Sequence, residues 1–231
     1  MSFNEIEVAL AAIAKGGFVV VADDASRENE GDLIIAAETL TRQALSFMLR
    51  YTSGVICVAI TEERAEELML PLMVPENSES QRTAFTVSVD LRHGTTTGIS
   101  AADRSAAIRA LGRPEMDASS FLRPGHVFPL RARPGGVLER RGHTEAAVDL
   151  ARLAGFEPAG ALCELVDERG EMLRGVALER FARQHRLPLL HIADLVEYRQ
   201  AIASSALIAR STRDRLSLEG ARTTARQQPE A

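Results

Sequence analysis

The chain has 231 residues, 45% of them hydrophobic and 26% charged, with a formal net charge of −5. That length bounds it to one large domain or two small ones, and the apolar share excludes wholesale disorder. The acidic balance lacks the basic excess of a nucleic-acid binder, and Lys15 is the only lysine among 27 basic residues.

Ile6, Ala9, Leu10 and Ile13 recur at helical spacing and predict an opening amphipathic helix. Lys15 closes it just before Gly16 and Gly17, an ordinary place for a cation at a helix C-terminus. Schiff-base chemistry needs an amine, so this placement disfavours it. Phe18–Ala22 and Leu33–Ala37 read as buried strands around the polar segment Asp23–Asp32. Thr41–Tyr51 and Thr61–Leu70 read as helices, each opened by a threonine N-cap, with the strand Val55–Ile60 between them. Phe85–Val89 alternates like a strand, and Ser100–Leu111 is helical in pattern. Gly112–Gly142 is dense in Pro, Gly and Arg and predicts mostly loop. Helices follow at Thr144–Ala154, Val176–His185 and Ala193–Ala209, with strands at Ala161–Val166 and Leu189–Ile192. The expected fold is a single α+β domain over residues 1–209. A mixed β-sheet is flanked by helices on both faces, giving three layers (α/β/α). Residues 210–231 carry no apolar period and predict a disordered polar tail.

Cys57 and Cys163 make neither a CxxC pair nor a disulfide framework, so a reducing compartment is expected. No signal-peptide pattern stands at the N-terminus. No apolar run approaches the roughly 18–20 residues of a membrane span. A cytoplasmic protein without membrane or nucleic-acid partners is expected.

Three local features carry chemistry. Asp23, Asp24, Glu28, Glu30 and Asp32 crowd carboxylates into one turn with Arg27 and Asn29. A divalent cation would relieve their repulsion, although a solvated hairpin loop also favours such residues. Arg140-Arg141-Gly142-His143-Thr144-Glu145 runs into a helix start, where free backbone N–H groups bind phosphate. Thr144 could equally be only the helix cap. Glu164 interrupts an apolar strand, which means either a solvated face or a buried carboxyl with a raised pKa suited to acid/base work.

Several longer motifs occur together. They are Asp23-Asp24, Arg27 through Leu33, Thr97 through Ala101 with Asp103-Arg104, and Arg123 through Arg131. They continue with Gly135 through Leu138, Gly142 through Ala146 and Leu153-Ala154-Gly155. In this combination, over roughly Ile6 to Arg199, the chain resembles the 3,4-dihydroxy-2-butanone 4-phosphate synthase family of riboflavin biosynthesis. The resemblance implies conversion of D-ribulose 5-phosphate to L-3,4-dihydroxy-2-butanone 4-phosphate and formate. It implies Mg²⁺, or Mn²⁺ in its place, and a homodimer with sites near the subunit interface. It places metal ligands on Glu28 and His143. Substrate contacts fall on Arg27, Glu28, Asp32, Arg140, Arg141, Gly142, His143, Thr144 and Glu164. Acid/base roles fall on Asp32, His126 and Glu164. Arg140 is preferred over Arg141 for phosphate. Many relatives are fused to GTP cyclohydrolase II, whose cysteine cluster is missing here, so a single activity is expected. The segments Met73–Thr83 and Arg113–Ser120 depart from the family pattern. Another metal-dependent sugar-phosphate enzyme, an aldolase or isomerase, would share the acidic turn and the phosphate loop.

Overall fold

Two apolar runs form the first hairpin of the computed structural model, which describes residues 3–205. Strand β1 (Val19–Ala22) pairs antiparallel with β2 (Gly31–Ala36), placing Val21 opposite Asp32. Every residue of both strands is buried, which explains why they read as continuous apolar runs rather than alternations. Strand β3 (Cys57–Ile60) is of the same kind. Four further strands, β4 (Val89–Leu91), β5 (Phe121–Arg131), β6 (Ala159–Glu164) and β7 (Leu189–His191), complete one sheet in the order β4-β5-β3-β6-β2-β1-β7. The β3–β5 and β1–β7 pairs are parallel and the rest antiparallel, so the sheet is mixed.

Helices cover both faces, giving the three expected layers. On one face lie α2 (Arg42–Tyr51), α3 (Glu62–Glu67), α4 (Ala101–Leu111) and α6 (Gly175–His185), packed on Leu33, Ile35 and Cys163. On the other lie α1 (Phe3–Ala14), α5 (His143–Leu153) and a last helix over residues 192–205 (α7), packed on Ile34, Ala36 and Leu162. Thr41, Thr61 and Ser100 cap their helices through hydroxyl oxygens that accept from Ala44, Arg64 and Asp103 N–H. Each cap satisfies a backbone donor that the first turn leaves free. The expected end of the final helix at Ala209 and the polar tail 210–231 lie outside the described residues.

Two expectations change. The Gly112–Gly142 segment holds β5, the longest strand of the sheet. Its first half pairs with β4 and its second half with β3, so it bridges two neighbours rather than facing one. Pro and Gly are compatible with this: a Cβ on Gly125 would lie 2.0 Å from the Val89 carbonyl carbon, so only glycine allows that approach. The Phe85–Val89 strand is displaced to Val89–Leu91, and Phe85 and Thr86 make only isolated bridges to Leu130 and Leu72.

Candidate active site

Asp32 in β2 and Glu164 at the end of β6 are Cα partners across the sheet. By the pleat they point to the α1/α5 face, with Ile34 and Leu162. His143 begins α5 on that face and is buried. Its Nε2 lies 3.1 Å from the Val21 carbonyl oxygen. A carbonyl only accepts, so Nε2 carries the proton and Nδ1 presents a lone pair. Nδ1 stands 3.8 Å from Asp32 Oδ1 and 3.9 Å from Glu28 Oε2. Burial lowers the imidazole to about 4, so at neutral pH the ring is uncharged, the state a metal ligand needs. A ring held neutral in the fold contributes stability above its ordinary value of 6.5 and loses it as the pH falls towards about 4. Across that window, urea midpoints of the metal-free His143→Gln variant should lose less on acidification than those of the parent.

The acidic turn is organised from within. Asp23 accepts from Arg27 Nη1 at 2.9 Å, from Glu28 N–H at 3.1 Å and from Glu30 N–H at 2.9 Å. Arg27 also pairs with Glu28. Asp23, Glu28 and His143 bring donor atoms within 4.8 Å of one another. Asp23 accepts from three donors and shapes the turn, and the atoms of Asp23, Glu28 and His143 lie close enough together to hold one ion. Burial raises Glu28, with Arg27 opposing. Asp32 goes further: its Oδ1 is buried and has no hydrogen-bond partner among the described residues. Burial, then the charges of Glu164 and Glu28, hold its carboxyl well above the usual range. An orphaned carboxylate oxygen beside a neutral imidazole nitrogen and Glu28 is a donor set that suits a hard divalent cation. Magnesium fits these residues.

A cavity of about 210 Å³ opens over this cluster, and Arg27, Glu28, Asp32, His143, Thr144 and Glu164 all line it. Ser53 Oγ donates to Glu164 Oε2 at 2.7 Å and fixes that carboxylate in the wall. Thr144 does not cap α5. The N-cap is Gly142, without a side-chain bond, which leaves the first-turn N–H groups and the buried Thr144 hydroxyl available to an anion. Arg140 stands just behind. Its Nη1 donates to the buried Glu145 carboxylate at 2.7 Å, and its Nη2 donates to Gln81 O at 3.0 Å and Thr83 Oγ1 at 3.2 Å. Neither Arg140 nor the exposed Arg141 is in the cavity wall.

His126 is also outside that wall. Its Nδ1 meets Asp90 Oδ2 at 2.8 Å, and its side chain is 43% exposed. Cys57 and Cys163 line the cavity as buried thiols. Burial raises both, Cys163 to about 11, so neither is a thiolate. Ser53, Asp90, Glu79 and Thr83 belong to the surroundings of the predicted residues but are not singled out by sequence. Ser53, Asp90 and Thr83 act through contacts between distant segments, for which no local pattern exists, and Glu79 enters the wall by folding its own loop around Gln81 and Thr83.

Residues 7–198 match the 3,4-dihydroxy-2-butanone 4-phosphate synthase family. A 3,4-dihydroxy-2-butanone 4-phosphate synthase of Cronobacter sakazakii is 52% identical over 200 residues, covering 87% of this chain and 92% of that protein. The riboflavin biosynthesis protein RibBA of Salinispora arenicola is 57% identical over 199 residues. The match covers 86% of this chain, which spans about half (47%) of that relative's length. A solved 3,4-dihydroxy-2-butanone 4-phosphate synthase in complex with two magnesium ions superposes with a TM-score of 0.81 at 48% identity, covering 85% of this chain and 96% of that one. With the family matched across the sheet and both walls of the cavity, the chain belongs to the 3,4-dihydroxy-2-butanone 4-phosphate synthase family.

Proposed function

We propose that the protein converts D-ribulose 5-phosphate to L-3,4-dihydroxy-2-butanone 4-phosphate and formate, supplying the four-carbon unit for riboflavin. Mg²⁺ is the cofactor, with Mn²⁺ able to replace it. The observation that carries this reading is the buried Asp32 carboxyl, with an unpartnered oxygen beside the free ring nitrogen of His143 and the Glu164 strand position. The two products contain every atom of the substrate, so no water, oxidant or reductant enters the balance.

Ribulose 5-phosphate must lose protons next to its ketone and pass through enediolates. A divalent cation held by Glu28 and His143 supplies Lewis-acid stabilisation of the negative charge that develops on the sugar oxygens. The remaining work falls to side chains. Asp32, whose carboxyl is held above the usual range by burial and Glu164, is suited to exchanging a proton with the sugar. Glu164, oriented by Ser53 and placed opposite Asp32 in the strand register, takes one. Each such transfer is worth about 10²–10⁴-fold. Arg27 holds Glu28 towards the cavity. Thr144, the N–H groups that follow Gly142 and the nearby Arg140 suit the phosphate.

His126 retains its acid/base assignment under one condition. It lies away from the cavity of its own chain, so a homodimer that brings a second copy to the cavity would reconcile its role with its position. We place the enzyme in the cytoplasm, where Cys57 and Cys163 stay reduced. Among the described residues no helix is long and apolar enough to cross a membrane.

Incubation of ribulose 5-phosphate with protein and Mg²⁺ should release formate one-for-one with a four-carbon phosphate. Retention of all five carbons, or a split into two- and three-carbon pieces, assigns an isomerase or aldolase instead.

A further inference from the structure

Arg174 immediately precedes α6 and reaches back across the chain to the acidic turn. Its Nε donates to the Asn29 carbonyl at 3.1 Å, and its Nη2 donates to Glu30 Oε1 at 2.8 Å. Both contacts fall beside Glu28. Asn29 itself adopts a left-handed conformation, φ 55°, which asparagine tolerates better than most residues and which turns its carbonyl to Arg174. One turn into α6, Leu178 lies over Gly31. A Cβ there would sit 2.4 Å from Leu178 Cδ1, so the turn and the helix start are in direct contact.

This clamp has two consequences for the cation. It fixes the backbone next to Glu28, whose carboxylate must stay near His143 Nδ1, now 3.9 Å away. It also ties down the Glu30 side chain, which lines the same cavity, so that both sides of the turn carrying Glu28 are held. We propose that Arg174 is a positioning residue that sets the divalent-cation affinity of the site by locking the acidic turn from outside. The inference rests on the proposed metal centre of Glu28 and His143. Arg174 is 49% exposed on its side chain, so as an ordinary surface ion pair it would contribute little to stability and nothing to metal binding.

Mn²⁺ binding, followed by loss of the free-ion electron paramagnetic resonance signal, tests this without substrate. Arg174→Met should weaken Mn²⁺ by about tenfold, because the turn that presents Glu28 loses its outer anchor, with circular dichroism unchanged. Arg174→Lys should recover part of the loss, because an ammonium can meet Asn29 O or Glu30 but lacks the fork that meets both. Equal Mn²⁺ affinity in Arg174→Met and the parent protein overturns the inference. So does a loss of binding that only tracks a loss of folded protein. A parent protein that binds no Mn²⁺ removes the metal centre and the inference together. A parent that binds Mn²⁺ but does not turn over ribulose 5-phosphate removes the proposed reaction alone, and the Arg174 comparison still stands.

Discussion

Glu28→Gln and His143→Ala should each reduce formate release from ribulose 5-phosphate by at least about 10²–10³-fold, the range for losing one preorganised group that stabilises developing charge. The two variants reach this result by different routes. Glu28 is about one-third exposed (34%), and glutamine keeps its shape, so stability should hardly change while the anionic oxygen is lost. His143 is buried and hydrogen-bonded to the Val21 carbonyl. Its removal should also lower stability by roughly 1 kcal/mol, the usual net value of a hydrogen bond. Steady-state kinetics beside thermal unfolding separates these effects. Wild-type turnover in either variant contradicts the metal assignment.

The parts of this site differ in how far local sequence reveals them. The helix starts at Thr41, Thr61 and Ser100 are visible because a cap is a contact over three residues. Strand β5 is hidden because its Pro, Gly and Arg content suits a loop, and only pairing with two neighbours makes it a strand. Glu164 stands out as an acid in an apolar strand, but Asp32 is masked by the acids before it. It counts as one more charge of a solvated turn until the β2–β6 register sets it opposite Glu164. Net charge is uninformative for the same reason. What matters is that Asp23 consumes three donors while Asp32 keeps a buried oxygen, Oδ1, without one. Ser53 and Arg174 reach Glu164 and Asn29 across 111 and 145 residues, and a periodicity argument does not extend that far. The family resemblance supplies roles for residues it matches, but contacts such as these emerge only from the packed chain.

Asp32→Asn is the second variant with a large expected effect, and its two consequences have opposite signs. A carboxyl held well above its ordinary range by burial and by Glu164 resists ionisation in the fold. In the unfolded chain it ionises freely. Its stabilising contribution is therefore present at low pH and is lost as the pH rises through its folded pKa. Asparagine has no such titration, so metal-free Asp32→Asn should be more stable than the parent in mildly alkaline buffer containing EDTA. The gain should be on the order of 1 kcal/mol, comparable with the cost of a buried polar group left without a partner. Lowering the pH should shrink it. Activity should move the other way, with kcat falling by about 10²–10⁴-fold because an acid/base group is gone. Such a pairing of higher stability with lost turnover is what a functional residue kept at a structural cost produces. A purely structural Asp32 would instead lose stability on substitution and keep its turnover per folded molecule. Urea titrations at two pH values, alongside formate assays on the same preparation, decide between them.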